Sequence, residues 1–465
     1  MSLSERILAI DGDISFVGYG KSNRAALAYL RALGAGNDLT LRQAGGEVPP
    51  GIFRRAFVGG GYLSNLTERA YIVSPGVRRD ALYASAPAGA LITSEIELFD
   101  DAAAGDIFAV TGSDGKSTVT TLISLLIARH YRRVDAVGNI GRAALTALCA
   151  EAGAAYALEL SSFQLMYHAP KSYAACLTGI SENHLNWHRD MREYIAAKRR
   201  IFSRTERAVI GLDCGECREI AKEIHPLAVF SAELSDAEIT RYGAEICVRA
   251  DGEKIYVNGR EVYDLRRAAL HGRYNIKNMC AAVAMTAGVA DDFDFARVFD
   301  SFPGLRHRRE YIGKCLGVSF YDSSIDSTPA RCVSTLESFS RGVIPILGGR
   351  GKQLSYDTLG SAVGKCAAGV VLIGENRDEI AAVLSGLGIP VISAGSMAEA
   401  VDTAFRLALR YGGGSPTVLL SPASTSFDMY ENFERRGDDF CACVMRIIKN
   451  TDAAGLTDYR PPTAG

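Results

Sequence analysis

Eight residues, Thr111-Gly112-Ser113-Asp114-Gly115-Lys116-Ser117-Thr118, constrain this chain more than any others. They follow a β-type apolar run over 106–110 and open a helical pattern over 116–130, so glycines, a lysine and hydroxyls stand where a strand hands over to a helix. Backbone N–H groups in such a turn can wrap a phosphate, and the helix N-terminus adds positive potential. Lys116 can reach the β- and γ-phosphates, and Ser117 can ligate Mg²⁺. The loop is shorter than G-x-x-x-x-G-K-[ST], because Val110 stands five positions before Gly115. It reads as a nucleoside-triphosphate site made of Gly112, Ser113, Asp114, Gly115, Lys116, Ser117 and Thr118.

The same succession of strand, turn and helix occurs elsewhere. A strand over 14–17 meets Gly18-Tyr19-Gly20 and a helix over 24–33, and a strand over 70–73 runs into Ser74-Pro75-Gly76. The third glycine of a dinucleotide fingerprint is replaced by Asn23, which leaves the Gly18 turn open between a phosphate site and a plain connection. After the phosphate loop come a strand over 155–160, a helix over 191–202, alternating β-type segments over 244–264 and a helix over 275–287. A hairpin over 310–321 then starts a further series, with short strands over 343–347, 369–373, 390–392 and 417–420 and a helix over 398–411. The expected fold is α/β with three Rossmann-like domains, the central one a P-loop ATP-binding domain with a mostly parallel sheet. The expected bounds are 1–92, 93–300 and 301–450, with a mobile tail over 451–465; a length of 465 residues suits about three domains of roughly 150.

Composition excludes several functions. A formal net charge of −2 gives no field to attract nucleic acid or anionic lipid. The N-terminus lacks a basic segment followed by an apolar run, and no apolar stretch approaches the roughly 18–20 residues of a spanning helix, so a cytoplasmic protein without membrane contact is expected. No long heptad pattern is present, and a monomer is expected. The 11 cysteines read as reduced thiols, mostly small core residues. Cys214 and Cys217 have C-x-x-C spacing, but no second pair or H-x-x-x-H follows to complete a zinc site.

The loop TGSDGKST is accompanied by GNIG at 138–141, ELSSFQL at 159–165, NHLNWH at 183–188, AAKRRIF at 196–202, HGRYNIKN at 271–278, LRHRRE at 305–310, LGGRGK at 347–352 and LSPASTSFDMYENFERRG at 420–437. In these motifs the chain resembles the Mur ligase family of peptidoglycan synthesis, and within it the branch that adds D-glutamate. The resemblance implies an ATP-dependent ligase that activates the carboxylate of UDP-N-acetylmuramoyl-L-alanine as an acyl phosphate and joins it to D-glutamate, with Mg²⁺ bound. It implies that Ser117, Glu159 and His184 hold metal, and that Lys198 is carbamylated by CO₂, turning a cation that would repel Mg²⁺ into an anion that helps hold it. Lys116 and Arg308 are the cations implied at the γ-phosphate. Asn275 and Asn278, three apart on one helix face, are implied at adenine and Asp322 near the ribose. Asn139, Ser161 and Ser162 are implied at the muramoyl-peptide substrate, Gly18, Gly20, Lys21 and Ser22 at its UDP, and Lys352, Ser426 and Phe433 at the amino acid.

One departure stands out. Where many members have D-S-K-A-T-N, this chain has Asp322-Ser323-Ser324-Ile325-Asp326-Ser327. The lysine is lost, an extra anion takes the Thr position near the incoming glutamate, and Ser327 or Thr328 is left to supply the hydroxyl. Two other readings fit parts of the pattern. A folylpolyglutamate synthase-like ligase shares the phosphate loop, but has no use for a dedicated first domain. A P-loop nucleotide-binding regulator without ligase activity has no use for Lys198 or the C-terminal block.

Overall fold

A computed structural model describes residues 1–453 apart from 11–12, 37, 150–152, 183, 185–186, 271, 352–353 and 415. The chain divides into two compact units, Met1–Phe302 and Pro303–Gly465.

The first unit holds two sheets. A five-stranded parallel sheet runs in the order Arg55–Val58, Leu39–Gln43, Ile14–Val17, Ala70–Val73, Leu91–Thr93. The chain leaves Ile14–Val17 for one side and later returns to the other, so the Gly18 turn lies at a switch point, where open α/β sheets leave a crevice for ligands. The second sheet has nine strands, parallel apart from its last two, Lys254–Val257 and Arg260–Asp264. Its strand Asp106–Thr111 pairs with Ala154–Glu159 on one side and Ser172–Leu177 on the other. The phosphate loop therefore also leaves from a switch point.

Alternation places this strand between two cores. Phe108 and Val110 pack with Leu122, Ile123 and Val283, whereas Ile107 and Ala109 pack with Phe16, Leu30, Ile72 and Phe99 on the other face. Burial on both faces explains why 106–110 is a continuous apolar run rather than an alternating one. The second of these cores takes residues from both sheets. Trp187 and Arg78 also join the two: the indole Nε1 donates to Gly76 O at 3.0 Å, and Arg78 donates to both Glu193 oxygens at 2.9 and 3.0 Å. The helix expected over 191–202 ends at Arg199 and tightens into a 3₁₀ segment, Arg200–Arg204.

The second unit has a six-stranded sheet in the order Glu310–Cys315, Val318–Asp322, Thr417–Leu420, Val343–Gly348, Val370–Ile373, Val391–Ser393. Only the first pair, the expected hairpin, is antiparallel. Helices Met397–Tyr411 and Phe433–Ala453 cover one face, with Val401, Ala404 and Phe440 packed on Phe320, Ile344 and Val418. The last helix carries order to Ala453, and the rest of the expected tail lies outside the described residues.

Candidate active site

Two glycines make the phosphate loop possible. Gly112 has φ +154°, and a Cβ there would stand 1.9 Å from Thr178 Oγ1; Gly115 has φ +80°, and its Cβ would stand 2.3 Å from Asn278 Oδ1. A left-handed φ and such close neighbours both exclude a side chain. The loop is tied to the segment after strand Ser172–Leu177. Ser113 N–H donates to Gly179 O at 2.9 Å, the Ser113 hydroxyl donates to Ser181 O and accepts Ser181 N–H, both at 2.9 Å, and Thr178 Oγ1 donates to Asp114 O at 2.6 Å. Lys116 folds back, its Nζ donating to Gly112 O at 2.9 Å and Ser113 O at 2.8 Å. Ser117 and Thr118 are buried in the first turn of helix Lys116–Ile127. Asn275 and Asn278 are buried in helix Arg273–Thr286, with Asn278 Nδ2 donating to Asn275 Oδ1 at 3.0 Å. The Asn278 side chain thus lies against the phosphate loop at Gly115, with Asn275 bonded behind it.

A buried charged centre lies behind this loop. Lys198 is 1% exposed; its Nζ donates to Gly112 O at 2.7 Å and sits 4.7 Å from the centre of the Tyr194 ring. Burial, and then repulsion from Lys116, hold this ammonium well below the ordinary lysine range against the pull of Asp114 and Glu159. Glu159 ends strand Ala154–Glu159 and is 1% exposed. Its Oε1 accepts Asn139 Nδ2 at 2.7 Å, while its Oε2 is buried without a hydrogen-bond partner among the described residues. An orphaned carboxylate oxygen is costly in a protein interior unless something meets it, and a hard cation is the natural partner. His184 is exposed, with a left-handed φ of +58° and its ring centroid 5.0 Å from that of Phe163 and 6.5 Å from that of Tyr194. Ser161 caps the short helix Ser162–Leu165, and Ser162 Oγ is 2.9 Å from Nε2 of the buried His188.

At the first sheet, a cleft of about 650 Å³ is lined by Gly18, Tyr19, Gly20, Arg24, Gln43 and the 44–52 segment. Asn23, which breaks the glycine fingerprint, organises this turn: its buried Nδ2 donates to the carbonyls of Val17, Gly18 and Ile72 at 3.1, 2.6 and 2.9 Å. Lys21 and Ser22 open helix Lys21–Ala32, which begins earlier than the expected 24. Desolvation lowers the Lys21 ammonium pKa against the pull of Glu95 and Glu159.

In the second unit, Arg308 is half-buried between His307 and Arg309, both in left-handed conformation. Asp322 is fully buried; its Oδ2 is 2.7 Å from His307 Nδ1 and its Oδ1 accepts Ser324 N–H at 2.8 Å. The departing residue Asp326 is buried in a hydroxyl cluster, where Ser421 Oγ donates to its Oδ2 at 2.8 Å and Ser323 and Thr335 also hydrogen-bond it. Ser426 is buried in the 421–432 loop, which Arg350 and Thr425 tie to the 349–351 segment by reciprocal backbone bonds of 2.9 and 3.0 Å. Phe433 opens the last helix, its carbonyl accepting Ser324 Oγ at 2.8 Å. Lys352 lies outside the described residues.

Sequence reasoning missed the residues that hold these groups in place. Thr178, Ser181 and Tyr194 fix the phosphate loop, and Asn376, Tyr356 and Ser424 form a hydrogen-bonded trio beneath Gly349. For Tyr194 a signal existed, since Tyr194, Ala197 and Lys198 share one helical face.

A phosphate loop at a sheet switch point, backed by a buried lysine and an orphaned carboxylate, defines a nucleotide-dependent α/β enzyme. Residues 110–286 match the Mur ligase middle domain. The UDP-N-acetylmuramoylalanine--D-glutamate ligase of Acetivibrio thermocellus is 35% identical over 93% of this chain and 96% of its own length, and that of Clostridium perfringens is 33% identical over 94% and 97%. Among solved structures, the UDP-N-acetylmuramate-alanine ligase of Thermotoga maritima covers 95% of this chain and 99% of its own with a TM-score of 0.53 at 15% identity, a likeness of fold. The chain belongs to the Mur ligase family, whose members are ATP-dependent, Mg²⁺-using, amide-bond-forming ligases.

Proposed function

We propose that this chain joins D-glutamate to the L-alanyl carboxylate of UDP-N-acetylmuramoyl-L-alanine, hydrolysing ATP to ADP and phosphate. The observation that carries the reading is the burial of both Lys198, on Gly112 O, and Glu159, with its Oε2 unmet among the described residues, behind the phosphate loop. A carboxylate is a poor electrophile, so a carboxylate oxygen of the substrate first attacks the γ-phosphorus, ADP leaves and an acyl phosphate forms. The amine of D-glutamate then attacks the acyl carbon; the amide bond forms, the carbon–oxygen bond to phosphate breaks, and phosphate and a proton leave.

In this reading the 112–118 loop holds the triphosphate through its backbone N–H groups, and Lys116 swings from Gly112 O and Ser113 O to the phosphates. Ser117, Glu159, His184 and Lys198 would hold Mg²⁺, which when bound neutralises crowded anionic oxygens. The orphaned Glu159 oxygen fits a cation, whereas a Lys198 ammonium does not. Burial that lowers the Lys198 pKa favours the free amine, the form that attacks CO₂, and its carbamate would reverse the charge. Asn139 orients Glu159, and Ser161 and Ser162 stand where the muramoyl peptide would pass. The cleft at Gly18 and Gly20, with Lys21 and Ser22, takes the UDP. Asn275, Asn278, Arg308 and Asp322 serve ATP, and Lys352, Ser426 and Phe433 take D-glutamate. The three sheets act as domains over 1–92, 93–300 and 301–450, in a cytoplasmic monomer.

Substrate carrying ¹⁸O in its L-alanyl carboxylate tests the chemistry. Transfer of one ¹⁸O to the released phosphate is expected for each amide formed. Phosphate free of label would reject carboxylate activation.

A further inference from the structure

Cys214 and Cys217 remain unused by this chemistry. Cys214 is the N-cap of helix Gly215–Ile224 and Cys217 its third residue, so the two side chains share one face of the first turn. Residues so spaced at a helix N-terminus have Cα atoms about 5–6 Å apart, within the range a disulfide spans. Cys217 is fully buried, whereas Cys214 is half-buried. The Cys214 sulfur accepts Ile180 N–H at 3.4 Å and a hydrogen bond from the Cys217 thiol, and Lys277 adds positive charge nearby. These contacts push the Cys214 thiol down to about 6 and the Cys217 thiol upward, the asymmetry of an attacking and a resolving cysteine.

We propose that Cys214 and Cys217 form a reversible dithiol–disulfide site, closed by exchange with a low-molecular-weight disulfide, and that its closure is felt at the phosphate loop through Ile180. The Cys214 thiolate attacks one sulfur of the external disulfide and expels one thiolate. The Cys217 sulfur, losing its proton, then attacks Cys214 Sγ in the mixed disulfide and expels the second. Two protein thiols are oxidised and one external disulfide is reduced to two thiols.

The coupling path is short. Ile180 stands between Gly179, whose carbonyl accepts Ser113 N–H, and Ser181, which exchanges two hydrogen bonds with the Ser113 hydroxyl. A thiolate sulfur drawn into a disulfide loses most of its strength as an acceptor for Ile180 N–H. This half of the inference rests on the phosphate loop being the ATP site; the disulfide itself does not.

The test equilibrates the full chain with mixtures of reduced and oxidised glutathione, caps free thiols with N-ethylmaleimide, identifies the peptides by mass spectrometry and measures MgATP affinity in both forms. The expected result is one internal 214–217 disulfide reversed by dithiothreitol, a Cys214–glutathione adduct trapped in Cys217→Ser, and ATP binding about 5-fold weaker when oxidised, the loss of roughly one hydrogen bond. Capping of both cysteines at every glutathione ratio would overturn the site. Equal ATP affinity in the two forms would overturn the coupling. ATP binding by neither form would instead reject the phosphate-loop reading, with the mass data still deciding the disulfide.

Discussion

Lys198 Nζ lies 2.7 Å from the carbonyl oxygen of Gly112, so a fully buried amine on one helix touches the backbone that is to hold a triphosphate. A permanent cation there would assist phosphate and repel the metal; a carbamate does the reverse. Incubation with ¹³C-bicarbonate is expected to give one carbamate resonance that disappears in Lys198→Arg. The same substitution should lower kcat by about 100-fold or more, the scale of removing one preorganised charge from a reacting centre. Wild-type resonance without a Lys198-dependent signal would contradict the carbamate.

Gly115→Ala meets two obstacles, the φ of +80° and Asn278 Oδ1 at 2.3 Å from the new Cβ. It should cost about 1–2 kcal/mol of stability from the backbone alone and raise KM for ATP at least tenfold. Adding Asn278→Ala removes the collision but not the strained φ, so stability should recover only in part. Full recovery on urea unfolding would mean that the φ is unimportant.

Glu95 opens helix Glu95–Ala102, is 2% exposed and accepts Leu145 N–H at 2.8 Å. Burial raises its carboxyl from 4.5 to about 7 despite the Leu145 and Ala144 N–H groups and Lys21. Between those two values the unfolded chain releases a proton that the folded chain keeps, so this group's contribution is fully present below 4.5 and is lost as pH rises to about 7. Glu95→Gln removes that loss. It should match wild type near pH 4 and gain up to about 3 kcal/mol above pH 7, measured by urea unfolding across pH.

Asp326 stands where many members of the family have Thr, but its carboxyl is enclosed by Ser421, Ser323 and Thr335, and burial raises its pKa. Its carboxyl is taken up by this hydroxyl cluster rather than presented to an incoming dicarboxylate. Asp326→Asn should leave KM for D-glutamate within about twofold, while Asp326→Leu, which strands the hydroxyls, should cost about 1–3 kcal/mol of stability. A large KM change in the Asn variant would place the residue in amino-acid recognition.

What could be read from sequence was local. The phosphate loop announces itself because glycines, lysine and hydroxyls must be contiguous to wrap a phosphate, and the strand before it is apolar throughout because both faces are buried. Lys198 is different. In Ala197-Lys198-Arg199-Arg200 it looks like one cation of a solvated face, and only packing reveals that it turns inward while Arg199 and Arg200 remain exposed. Thr178 and Asn278 set the shape of the loop from 60 or more positions away, a relation no local pattern carries. Asn23 was legible only as a defect in a glycine fingerprint, whereas its amide binds three carbonyls and closes the turn.

The most direct measurement is ATP-dependent phosphate release with UDP-N-acetylmuramoyl-L-alanine, Mg²⁺ and bicarbonate, comparing D-glutamate with L-glutamate, D-aspartate, L-lysine and no amino acid. Turnover confined to D-glutamate, with one amide formed per phosphate released, is the expected result. Turnover with a different amino acid, or none with any of them, would contradict it.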